Sequence, residues 1–219
     1  MFAAFGVDEP ESFGYCNRRK GETGKFPPVF VFLLRVRWMS DIDIEKCRIT
    51  YYPADVLANP AEPIEDIDDN IRRLVEKMTD IMLENKGVGL AGPQVGVGLR
   101  IFIISLDATR EGVKVFINPT VTPTTNKLDS IEEGCLSVPD VHTKIRRYKR
   151  CKVTATDLEG NEFTEEAEGL YAKVLQHEYD HISGMTIADR MGSTARIVNR
   201  KQLKKLKKNY KKTQLNSGA

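Results

Sequence analysis

A chain of 219 residues with 41% hydrophobic residues can bury one sizeable core, and a net charge of +2 excludes a protein that is strongly basic or acidic as a whole. Four cysteines without regular spacing do not make a disulfide framework and point to a reducing compartment. No apolar run is long enough to span a bilayer, so a soluble cytoplasmic protein is expected.

Residues 1–38 differ in character from the rest of the chain. Val29 to Leu34, after Pro27-Pro28, is apolar but too short to cross a membrane and shorter than a secretory core. Asp8, Glu9, Glu11 and Glu22 count against an organelle transit peptide. Met39 opens a stretch of globular character, so residues 1–38 are expected to be a disordered extension or the product of a start placed too early, and 39–192 to be the folded domain that carries whatever chemistry the chain has.

Pro53, Pro60 and Pro63 exclude a long helix between Ile49 and Pro63. Ile67, Ile71, Leu74, Val75, Met78, Ile81 and Met82 then recur at helical spacing behind the acids Glu65 to Asp69, which predicts a helix ending at Gly87. From Gly87 to Gly96 the glycines are too dense for a good helix or strand interior, so the backbone is open to a peptide or an anion. The Gly-Lys-Ser/Thr of a nucleotide loop is missing.

Leu99 to Leu106 and Val113 to Ile117 read as a hairpin across the polar Asp107 to Gly112, and a Thr-rich passage to Ser130 adds an edge strand. Lys152 to Asp157 and Glu162 to Glu168 are strands around the turn Leu158 to Asn161. Gly169 to Ile182 reads as a helix stopped by Gly184. Strands followed by a helix that must be buried make the fold class α+β rather than alternating βαβ. Beyond Asp189 no acid follows while lysines and arginines accumulate, and Leu203, Leu206 and Tyr210 give a narrow apolar stripe, so 193–219 is expected to be a basic C-terminal helix or tail.

The chemistry concentrates in Gln176-His177-Glu178-Tyr179-Asp180-His181. On a helix, residues four apart share a face, so His177 and His181 can hold one transition metal with the Glu178 carboxylate beside the open position. An open catalytic site usually takes a third protein ligand. With only three histidines in the chain, the candidates are His142, a carboxylate such as Asp189, or a cysteine. Cys135 is chosen because it follows glycine in Glu133-Gly134-Cys135-Leu136-Ser137, where the backbone can approach closely.

With the glycine stretch, the Cys135 stretch and the histidine stretch in this order, the chain from Ile49 to Arg200 resembles the peptide deformylases, metallohydrolases that remove the formyl group from the initiator methionine. The resemblance implies antiparallel or mixed β-sheets folded around a central metal-binding helix, with the metal between that helix and the end of the Cys135 strand. It implies Fe(II) as the usual metal, with Zn, Ni or Co able to occupy the site. Cys135, His177 and His181 would be the ligands, and Glu178 would move the proton. The Gln94 side-chain amide and the Leu136 N–H would stabilise the oxyanion. Gly89 would pair with the substrate backbone. On the helix face, Leu170 and Val174 are the candidates for the methionine pocket, with plain core packing as the alternative, and the stem of Lys173 falls near them with its ammonium in solvent. Glu133 is expected to pair with Arg146 or Arg147 and brace the Cys135 loop.

The partners implied are N-formylmethionyl nascent peptides and, through the basic helix, ribosomal RNA near the exit of the nascent chain, with no membrane and no DNA. A merely solvated helix is the alternative reading of the tail. Two other functions share part of the pattern. A zinc endopeptidase leaves Cys135 and Gln94 without a role, and a binding module with a structural metal does not need Glu178. The sequence departs from the family in Gly92, where alanine is common, and in Asp140 and His142.

Overall fold

The computed structural model describes residues 42–217, all within one unit, so the expected extension of residues 1–38 lies outside the described residues. Helix α1, Asp69–Glu84, starts at Asp68, whose carboxylate accepts from the Ile71 N–H and satisfies one of the unpaired donors of the first turn. Ile71, Leu74, Val75, Met78, Ile81 and Met82 form its buried face, as their spacing predicts.

The larger sheet is five-stranded and antiparallel, in the order β1-β2-β3-β6-β7, from Gly89–Ala91, Ile101–Ile104, Lys114–Pro123, Arg150–Thr156 and Glu162–Glu168. The hairpin read from the apolar runs is present as β2 and β3, with Phe102 opposite Phe116. The glycine stretch differs from its reading as open loop. Gly89-Leu90-Ala91 is fully buried and pairs with β2, because the apolar β2 offers both a partner and a cover. β1 is an edge strand, so one row of its backbone groups is not used by the sheet.

A second sheet has two strands, β4 (Leu128–Glu133) and β5 (Thr143–Tyr148), paired from Leu128 opposite Tyr148 to Glu133 opposite Thr143. The threonine-rich passage expected to add an edge strand divides: Thr120 and Thr122 extend β3, where they pair with β6, and only its end, Leu128 to Ser130, enters β4. β5 alternates buried and exposed along its length, but its third inward position is Arg147 rather than an apolar residue.

Helix α2, Gly169–Ile182, is the centre of the fold. Ala172, Leu175 and Ile182 join Phe102, Ile104, Phe116, Val153 and Ala167 in one core cluster, so this side of the helix lies on the large sheet. Gly184 sits just past its end at φ +76°, and a Cβ there would come within 2.8 Å of the Asn59 backbone, so glycine is needed for both reasons. Short helices α3 (Ile187–Arg190) and α4 (Ser193–Val198) lead to the basic helix α5, Arg200–Ser217. Leu203 and Leu206 of α5 are buried with Val138, Val141, Ile145, Ile187, Ala188 and Met191. Among the described residues no helix is long and apolar enough to cross a membrane.

Candidate metal centre

The side of α2 turned away from the large sheet carries both histidines, and the loop leaving β4 brings Cys135 to them. The donor atoms of Cys135, His177 and His181 all lie within 4.8 Å of one another, with Cys135 Sγ 3.2 Å from His181 Nε2. Asp189 is elsewhere: its carboxylate accepts from the Thr186 N–H and hydroxyl and caps α3. His142 is exposed at the rim of the cavity beside the cluster.

The imidazoles are set by what surrounds them. His177 Nδ1–H donates to Glu133 Oε2 at 2.9 Å, which leaves Nε2 for a ligand. Burial opposes charge on this ring, but the Cys135 sulfur and the Glu133 carboxylate outweigh it and raise its pKa well above the ordinary value. His181 is pushed far down by burial, then by His177 and Arg147. Its Nδ1 is buried without a partner among the described residues.

Glu133 is held in turn. Arg147 donates through Nε and Nη2 to its two oxygens, at 2.7 and 2.9 Å, and through Nη1 to Asp180 Oδ2 at 2.8 Å. Arg190 Nε completes the chain at 3.0 Å from Asp180 Oδ2. Sheet register decides between the two arginines expected beside Glu133: Arg147 faces inward on β5 and Arg146 outward. Burial raises the Glu133 pKa, but His177 and Arg147 prevail and hold it below the usual carboxylate range. The sequence reading missed Asp180. Its signal was an acid inside a helix that had to be buried, a position that requires a cationic partner.

Glu178 lies on α2 beside the cluster, 3% exposed, with Oε2 unpartnered among the described residues. Burial pushes its pKa up to about 7, against the lowering influence of His177 and Arg147. A Cβ at position 89 would come within 2.5 Å of Glu178 Oε1, so any larger residue there displaces that carboxylate. Gln94 is 1% exposed and bonds in two directions. Its Oε1 accepts from the Ala91 N–H at 2.7 Å, which turns Nε2 toward Cys135 Sγ at 3.6 Å. The Leu136 N–H has no acceptor among the described residues.

A cavity of about 380 Å³ opens on these groups, lined by Gly89, Gln94, Cys135, Leu136, His177 and Glu178 and, farther along, by Ile131, Val138, Leu170, Lys173 and Val174. Val174 is buried and Leu170 is 55% exposed, at the mouth. Lys173 departs from its expected placement: it is 7% exposed, and its ammonium is paired with Asp129 instead of reaching freely into solvent.

One soft thiol, two imidazole nitrogens and an adjacent unpartnered carboxylate fit a divalent transition metal with an open position. Comparison with known proteins agrees with this donor set. The family model for polypeptide deformylase matches residues 46–196. The chain belongs to the peptide deformylase family. A peptide deformylase of Pseudomonas aeruginosa is 40% identical over 157 residues, which is 72% of this chain and 94% of that protein. One from a Thermotoga species is 37% identical over 165 residues, 75% of this chain and 99% of the relative. Among solved structures, the deformylase of Plasmodium falciparum has a TM-score of 0.73 at 32% identity, covering 76% of this chain and 98% of that one. Deformylase 1B of Arabidopsis thaliana, in complex with an inhibitor, also gives 0.73, at 33% identity over 76% of this chain and 93% of the other. The deformylase fold is therefore the one described above, and the family's metal dependence has a Cys/His/His group to answer it.

Proposed function

We propose that residues 135, 177 and 181 are the metal ligands of a formyl-removing site in which Glu178 moves the proton. As a family member the protein removes the N-formyl group from nascent chains, and the observation that carries the residue assignment is the meeting of Cys135 Sγ, His177 and His181 beside the unpartnered Glu178 carboxylate. Bound there, a divalent cation would supply Lewis acidity and an activated water. The resemblance implies Fe(II), and the donor set is compatible with Fe(II), Zn, Ni or Co.

The rest is done by the chain. Glu178 takes a proton from the attacking water and passes it to the departing amine nitrogen, a task suited to a carboxyl raised to about 7. The Gln94 amide, oriented by its bond to Ala91, and the unengaged Leu136 N–H donate to the oxygen of the former formyl carbonyl. The free edge of β1 at Gly89 receives the substrate backbone as an added strand, while Leu170 and Val174 cover the methionine side chain. Full-length protein, purified anaerobically and analysed for its metal, should release formate from formyl-Met-Ala and leave casein intact. Casein cleavage without formate release would overturn the reading.

We also propose that α5 touches ribosomal RNA. The support is a helix whose apolar stripe is buried while Lys204, Lys205, Lys208 and Lys211 are exposed. Replacing these four lysines by glutamate should abolish cosedimentation with ribosomes at low salt, and unchanged cosedimentation would remove the proposal. The substrate supports cytoplasmic action, which cell fractionation tests.

A further inference from the structure

We propose that Lys173 is a specificity residue of the methionine pocket, and that it opens the site to a second substrate class: formylated chains that begin with methionine sulfoxide. The inference rests on the deformylase reading above and on the pocket beside Leu170 and Val174.

A pocket built only for a thioether needs no charge. Here the cavity wall carries a lysine one helical turn before His177, on the same face of α2 as Leu170 and Val174. Lys173 is 7% exposed, and its Nζ donates to Asp129 Oδ2 at 2.7 Å. Asp129 sits on β4, outside the cavity lining, with its side chain 46% exposed. An ammonium has three donors, and among the described residues Asp129 is its single acceptor. Two N–H groups therefore have no acceptor among the described residues, on a side chain that lines the pocket.

The sulfur of methionine is a weak acceptor, whereas the sulfoxide oxygen is a strong one. An apolar pocket would strip the sulfoxide of its hydrogen bonds to water and return nothing. The Lys173 ammonium returns a charge-assisted bond. The reaction is unchanged: the water oxygen joins the formyl carbon, the C–N bond breaks, the proton goes to the amine, and the sulfoxide leaves as it entered.

The test uses full-length, metal-loaded protein and three peptides, formyl-Met-Ala-Ser, its sulfoxide, and the norleucine analogue, which keeps the length but has no acceptor. The wild type should cleave the sulfoxide within about tenfold of the methionine peptide. Lys173→Met should lower the sulfoxide-to-methionine ratio of kcat/KM by at least about tenfold, in keeping with the loss of a charged hydrogen bond, and leave the norleucine-to-methionine ratio within about threefold of its wild-type value. Lys173→Arg keeps the donors and should keep the sulfoxide activity. Calorimetry with the products Met(O)-Ala-Ser and Met-Ala-Ser reads the same preference without turnover. A sulfoxide-to-methionine ratio equal in wild type and Lys173→Met, or poor sulfoxide cleavage by both the wild type and Lys173→Arg, would overturn this inference while the deformylase reading stood. No formate from any of the three peptides would overturn both.

Discussion

A single added carbon at position 89 would reach the carboxylate of Glu178, so the smallest informative substitution is Gly89→Ala. It should lower formate release by about a hundredfold through displaced geometry, with metal content unchanged. Glu178→Gln, which keeps shape but cannot take the proton, should cost about two to four orders of magnitude in kcat with metal retained. Equal activity of Glu178→Gln and the wild type would remove the proton role from Glu178, and an unaffected Gly89→Ala would mean that the carboxylate gives way to the added carbon without loss. The cysteines give an independent check. Burial pushes the Cys151 thiol up to about 11 and raises that of Cys47, so at pH 8 both hold little thiolate and should alkylate slowly. Cys135 is less buried, and it should alkylate readily after chelation and be protected by metal, as read by peptide mapping. At this scale the meeting of Cys135, His177 and His181 beside Glu178, which the structure shows, was legible in the sequence because a helix turn and a Gly-Cys pair state their geometry locally, and their roles remain as proposed above. Asp180 and the Asp129 partner of Lys173 were not, since each ion pair joins helix α2 to the two-stranded sheet, whose register the sequence does not print.

Strand β5 was the element least visible from sequence, and its chemistry explains why. Thr143-Lys144-Ile145-Arg146-Arg147-Tyr148 alternates in burial, yet the inward place of Arg147 breaks the apolar period that would announce a strand. β1 was hidden in the same way by its glycine, which serves Glu178 rather than strand propensity. The long helices and the β2–β3 hairpin were read correctly because their apolar periods are uninterrupted. Arg147→Met should leave Glu133 and Asp180 buried without their shared cation and destabilise the fold by about 3–5 kcal/mol, seen in denaturant unfolding. Helix α5 has a further part at this scale. Gln202 Nε2 donates to Pro139 O and Asp140 Oδ2, both at 3.0 Å, and Leu206 packs with Val138 and Val141 of the cavity wall. Leu206→Ala should therefore cost about 2–4 kcal/mol of stability, and a cost near zero would mean that the helix does not hold that loop.

Over the whole molecule, the proposed cation joins parts that the chain supplies far apart. Cys135 leaves the two-stranded sheet, His177 and His181 belong to the central helix, and the helix lies on the five-stranded sheet. Binding only the folded arrangement, the metal should raise the melting temperature, and chelation should lower it reversibly. The α+β class was legible in the order of strands and helix. The division into two sheets was not, because the residues that separate them are the polar ones serving the site. X-ray absorption on the metal-loaded, full-length protein tests the central assignment most directly. We predict one sulfur at about 2.3 Å and two imidazole nitrogens at about 2.0–2.1 Å if zinc is bound, with the sulfur shell lost in Cys135→Ser. A shell of nitrogen and oxygen only in the wild type would contradict it.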